Sequence, residues 1–139
     1  MNKEIKYKAI VPILFVIGMV AFSCSKDVAV VTSTCTQSMP DSVSFKKNIL
    51  PVFHGHCSIA GCHTSPNPAG LGHLNLSASV AYTQLMQSGK GYIDTINPTN
   101  SILYVQMISS SKPMPPTGNL DACTTQMVLK WIQQKARNN

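Results

Sequence analysis

The sequence predicts a mostly α-helical single domain of about four short helices, and three observations lead there. Four stretches carry apolar residues at helical spacing behind capping residues. No run alternates apolar and polar residues long enough for a sheet, and Gly, Pro, Ser and Asn punctuate the stretches between. Beyond an N-terminal segment of different composition, residues 42–139 of the 139 leave room for one core and no second.

The first helix is expected in Asn48-Ile-Leu-Pro-Val-Phe-His, with Asn48 as N-cap, Pro51 in the first turn and Ile49, Val52 and Phe53 on one face. The second lies near residues 78–87, with Ser77 as cap, Val80, Leu85 and Met86 apolar, and Gly89 just past its end. The third follows Asn97-Pro98-Thr99-Asn100-Ser101 and carries Ile102, Leu103, Val105 and Met107. The fourth is capped by Asp121 or Thr124, repeats Val128, Trp131 and Ile132 at helical spacing, and has Lys135 and Arg137 at its negative end. After residue 24 the chain has six aromatic residues, a thin supply for a core, so something besides side chains is expected to fill its centre.

The N-terminus reads differently. Behind the basic opening, Ala9 to Phe22 form an apolar run of 14 residues containing Pro12 and Gly18, short of the ~20 that a membrane-crossing helix needs. A signal peptide over residues 1–23 fits better. Its end, Ala21-Phe22-Ser23-Cys24, resembles a bacterial lipobox, in which the cysteine is acylated and becomes the first residue. Phe22 is larger than usual there, and Ala21 stands where Leu is commoner. Ordinary secretion with Cys24 unmodified, or a retained short anchor, are the alternatives. Residues 24–41, rich in Ser and Thr, read as a tether between the lipid anchor and the domain at 42–139. The domain is therefore expected in the cell envelope, facing the periplasm or the surface. Ser25-Lys26 lacks the Asp that favours inner-membrane retention, which favours the outer membrane.

From residue 24 onward, eight Lys and Arg stand against four Asp. No basic cluster is interleaved with aromatics, so nucleic acid is not an expected partner. The lysines form a solvated face or steer an acidic partner. Nothing suggests catalytic turnover: there is no Ser/His/Asp arrangement and no glycine-rich phosphate loop, and Asp41, Asp94 and Asp121 are the only acids from residue 41 onward.

The chemistry concentrates in His56-Cys57-Ser58-Ile59-Ala60-Gly61-Cys62-His63-Thr64. Two cysteines with a histidine directly after the second is the order that attaches haem c: the thiols add to the vinyl groups, and the next residue's imidazole lies beneath the iron. Four residues separate the cysteines here instead of the usual two, a known variant spacing. The segment must then loop, and Gly61 allows backbone angles that a Cβ resists. Taken alone, the motif also suits a local disulfide or a zinc site.

Fifty-one residues after His63 stands Lys112-Pro113-Met114-Pro115-Pro116-Thr117-Gly118, a Met in a proline-stiffened loop before the last helix. With Ile49-Leu50-Pro51-Val52-Phe53, Asn97-Pro98, Ser101-Ile102-Leu103-Tyr104 and Trp131-Ile132, residues 44–139 resemble the class I cytochromes c, especially small exported bacterial haem lipoproteins. The resemblance implies a cytochrome c-like domain around one covalent haem c, attached at Cys57 and Cys62, with iron bound by His63 and Met114. It implies a soft thioether ligand that favours ferrous iron, with electron transfer to redox partner proteins of unknown identity. Rivals for the iron are Met107, His54, His56 and, in a glycine-rich loop, His73. The alternatives are a five-coordinate haem enzyme or sensor, and a cofactor-free, disulfide-stapled binding lipoprotein. Two cysteines remain, Cys35 and Cys123. An even remainder in an exported chain, and a similar pair in such haem lipoproteins, suggest a disulfide between them. A free or intermolecularly paired Cys35 is the alternative.

Overall fold

The computed structural model describes residues 35–64 and 73–139. The expected signal peptide, Cys24, the expected tether up to residue 34 and the segment 65–72 lie outside the described residues. The chain divides into two units, Met1–Thr32 and Ser33–Asn139, and every described residue belongs to the second. That unit is helical: α1 (Leu50–His56), α2 (Ala81–Leu85), α3 (Ile102–Ile108) and α4 (Ala122–Gln133), with no strand among the described residues.

The first helical segment begins earlier than its apolar spacing suggests. A π turn, Phe45–Ile49, runs directly into α1, and Ser44 caps it in place of Asn48. Ser44 Oγ accepts from Lys47 N–H at 3.2 Å, while Asn48 Oδ1 accepts from Ser44 N–H at 2.8 Å. Two orphan donors are thus satisfied reciprocally, as in a capping box. Pro51 explains the widened turn. It lacks an N–H, and its ring would strike the carbonyl four residues back in a regular helix. Upstream of it the bonds lengthen to Ile49 N–H to Ser44 O and Leu50 N–H to Phe45 O. The added turn brings Phe45 into the core.

Helix α2 is a single short turn that buries Ala81 and Leu85. Ser77 serves its start through its carbonyl, which accepts from Val80 and Ala81, and Met86 points outward. Before α3, a 3₁₀ turn at Pro98–Asn100 leads to Ser101, whose fully buried hydroxyl accepts from Asp94 N–H at 2.8 Å instead of capping the helix. Asp94 Oδ1 in turn accepts from Ile96 and Asn97, and these bonds hold its carboxyl below the usual range.

Helix α4 is capped by Asp121, which accepts from Thr124 N–H at 2.9 Å and from the Thr124 hydroxyl at 2.6 Å. It ends at Gln133, so Lys135 and Arg137 lie past its end and Lys130 is the cation in its last turn. The stop is a Schellman arrangement: Ala136 N–H donates to Trp131 O and Lys135 N–H to Ile132 O. Lys135 takes the left-handed conformation there at φ 70°, where glycine is usual.

Trp131 sits at the centre of the packed core. It is fully buried, with the Phe45 ring 5.3 Å away, and Phe45 also meets Phe53 and Tyr82 edge-on. Its indole N–H donates to Arg137 O at 3.0 Å, so the polar edge is paired as the apolar body is buried. Val128, Ile132, Leu85 and Ile49 close around these rings.

Residues 35–43 form a strap along α4, in the same direction. Cys35 is disulfide-bonded to Cys123, with Cα atoms 4.6 Å apart. Further along, Lys130 Nζ donates to Pro40 O at 2.7 Å. Gln134 donates to Asp41 O at 2.6 Å and accepts from Val43 N–H at 2.9 Å. The stretch 35–41, assigned to the tether on composition, is thus bonded to the helical unit.

Candidate functional site

The site grows from the end of α1. Phe53 O accepts from both Cys57 and Ser58, terminating the helix, and the chain then folds back on itself. Cys62 N–H reaches Ile59 O at 3.0 Å and His63 N–H reaches Cys57 O at 3.0 Å. The four residues between the cysteines are therefore taken up in a compact loop, which the longer gap requires. Gly61 makes the reversal at φ 78°, a left-handed conformation expected of a glycine.

Cys57 and Cys62 are both free thiols. Burial, and then the neighbouring Cys62, push the Cys57 thiol up to about 11, so it is protonated at neutral pH. The local disulfide that the motif also allowed is not formed.

His63 is oriented by its backbone and by its ring. Its carbonyl accepts from Leu76 N–H at 2.8 Å, and its Nδ1 lies 2.9 Å from Leu74 O. A carbonyl only accepts, so Nδ1 carries a proton, and in the neutral imidazole Nε2 is the nitrogen with the free lone pair. This is the arrangement in which a histidine is held ready to bind a metal through its far nitrogen.

Beside this segment lies a cavity of about 620 Å³, within the range of ~300–1,000 Å³ typical of ligand and cofactor sites. Cys57, Cys62 and His63 line it, and so does Met114 from the loop before α4. The loop is fastened to α3 by Met114 N–H donating to Gln106 O at 3.0 Å. Leu74, Leu76, Leu103 and Met107 separate the cavity from the Trp131 core and belong to both. The interior is thus divided into a packed cluster and an apolar space.

Cys57, Cys62, His63 and Met114 are brought to this one cavity, whereas Cys35 and Cys123 lie on the strap. Among the rival ligands, His54 and His73 are exposed and outside the cavity wall; His56 is exposed at the wall; Met107 lines it from within α3 and is 3% exposed. Among the described residues no three His, Cys, Asp or Glu side chains converge as a metal site, which is the grouping a zinc site would need. Two elements escaped the sequence reading. The Leu74 carbonyl carries no sequence signal, because any residue supplies one. Gln106 had one: a lone amide between Val105 and Met107 in an otherwise apolar helix.

Fold and site together define a small disulfide-tied helical domain with a cofactor-sized apolar cavity that presents two thiols, an oriented imidazole and a thioether. No protein-family model, curated protein or solved structure matches the chain.

Proposed function

We propose that the protein is a monohaem c-type cytochrome of the cell envelope, an electron carrier held to a membrane by a lipid on Cys24. One observation carries the reading: His63, with Nδ1 donating to Leu74 O at 2.9 Å, shares its cavity with two free thiols and with Met114. The donor set suits haem iron, for which imidazole and thioether are common axial ligands, and the cavity's size and apolar walls suit a porphyrin.

Bound haem supplies a one-electron couple. Cys57 and Cys62 anchor it through thioether bonds. His63 would bind the iron through Nε2, its ring oriented by the hydrogen bond from Nδ1 to Leu74 O. Met114, on the same cavity, would supply its thioether sulfur to the iron, a soft donor that favours the ferrous state. Leu74, Leu76, Leu103 and Met107 give the site an apolar wall, which would raise the cost of the extra ferric charge. The donor and acceptor are proteins recognised at the domain surface.

The test is expression of the full chain with haem-maturation machinery. The haem is expected to survive acid-acetone extraction, with its mass on the peptide containing Cys57 and Cys62. The ferric protein is expected to show a far-red sulfur-to-iron band that Met114→Leu abolishes. Extractable or absent haem refutes the proposal. A parent protein that binds carbon monoxide tightly has an open iron position, which indicates a haem enzyme or sensor.

A further inference from the structure

Helix α3 carries no charged residue. Leu103 and Met107 turn inward and are buried, whereas Ile102, Val105 and Ile108, successive residues three apart on one stripe, are 42%, 42% and 48% exposed. A surface helix normally turns polar side chains outward. Helix propensity does not account for the stripe, because β-branched residues lose rotamer freedom in a helix. Nor does the core, which Leu103 and Met107 already serve. The stripe begins at the cavity. Ile102 lines the cavity while staying exposed, and so does Ile59 from the loop between the cysteines, so both stand at its mouth.

The charges beside the stripe are positive. Lys90, exposed, precedes Gly91, whose carbonyl accepts the Ile102 N–H at 3.0 Å. Lys112, also exposed, is held beyond the other end of α3 by its N–H donating to Ser109 Oγ at 3.1 Å. The acids are committed elsewhere: Asp41 belongs to the strap and Asp121 caps α4. Asp94, the nearest to α3 in the chain, turns its carboxylate back onto the Ile96 and Asn97 N–H groups.

We propose that the outer stripe of α3, with Ile59 across the mouth, is the docking surface for an acidic electron-transfer protein, an inference that rests on the haem reading above. Lys90 and Lys112 steer the partner, and the apolar stripe keeps water from the contact. Four half-exposed side chains provide far less than the ~800 Å² per partner of a stable interface, and redox encounters are the class that stays small. A second copy fits worse. Antiparallel pairing of two α3 stripes would set Lys90 of one against Lys112 of the other, like charge on like.

The experiment uses the haem-loaded full chain in detergent, mixed in its ferric form with the cuprous form of a small acidic copper protein and, separately, of a basic one. One electron passes from copper to iron, with no proton. The rate with the acidic protein is expected to exceed that with the basic one and to fall with ionic strength. Lys90→Glu and Lys112→Glu each lower it roughly tenfold at low salt. Val105→Ser/Ile108→Ser, neither of which lines the cavity, lowers it by a similar factor and does so at high salt too. Lys46→Glu and Lys47→Glu, on the π turn before α1, leave it unchanged. Reduction by the small uncharged hydroxymethylferrocene is expected at the parent rate in every variant, which separates docking from damage to the haem site. Parent-like rates in the α3 and lysine variants, or a basic protein that reacts as fast as the acidic one, overturn the proposal. A dimer in sedimentation velocity that Val105→Glu dissociates gives the stripe to a second copy and overturns it as well. A parent without covalent haem overturns the haem reading and this inference with it, whereas failure of the docking variants alone leaves haem attachment standing.

Discussion

Removing the Cys35–Cys123 disulfide is expected to cost the folded domain a large part of its stability. The two residues are 88 apart in sequence, and in the chain-entropy model closing such a loop restricts the unfolded chain by about 4.6 kcal/mol at 25 °C. Domains of this size have ~5–15 kcal/mol in total. The double variant Cys35→Ser/Cys123→Ser should therefore be marginal without its cofactor, with a melting temperature lower by on the order of 20 °C. The remaining strap bonds, Lys130 to Pro40 and Gln134 to Asp41 and Val43, act only in the folded state and do not replace a constraint on the unfolded one. Urea unfolding of parent and variant, followed by Trp131 fluorescence, measures the difference. A loss below about 1 kcal/mol, or alkylation of Cys35 in the unreduced parent, would refute the reasoning.

Three further outcomes follow from local geometry. Gly61→Ala places a Cβ at φ 78° with no heavy atom within 4 Å, so its cost is backbone alone, about 1–2 kcal/mol in urea unfolding, with fewer chains carrying haem after maturation. Lys135→Gly relieves a left-handed residue at φ 70° and should stabilise by about 0.5–1 kcal/mol, read as a higher melting temperature. In haem-free protein, the Cys57 thiol raised from 9.0 to about 11 stays protonated when the unfolded chain has ionised. Its contribution to stability is thus fully present below pH ~9 and is lost as pH rises through ~11. Alkylation of Cys57, followed by peptide mass, should accelerate across that window, and a rate already maximal at pH 8 would contradict the burial.

The four helices were legible because amphipathic spacing and caps are local properties. Val128, Trp131 and Ile132 announce α4, and Asp121 does cap it. The sequence view failed where a remote or backbone effect decides. Pro51 does fall in the first turn of α1, but Ser44 and not Asn48 caps the segment, because a π turn precedes the helix and brings Phe45 against Trp131. Charge pattern alone puts Lys135 and Arg137 at the end of α4, and the Schellman stop leaves both past it. The candidate site was half legible. Cys57, Cys62, His63 and the Met114 loop stand out by type and spacing, and Gln106 as a lone amide in an apolar helix, while Leu74 O does not, since a carbonyl is common to every residue.

By itself, then, the sequence determined the helical class, the choice of cysteines and histidine, and the need for Gly61 in the loop between them, all consequences of side-chain chemistry and local backbone freedom. Only the tertiary structure decided that those residues share a cavity with Met114, that Nδ1 of His63 is the protonated nitrogen, and that residues 35–43 are a strap. Each of these depends on contacts between segments far apart in the chain, and such contacts are set by how the whole core closes around Trp131.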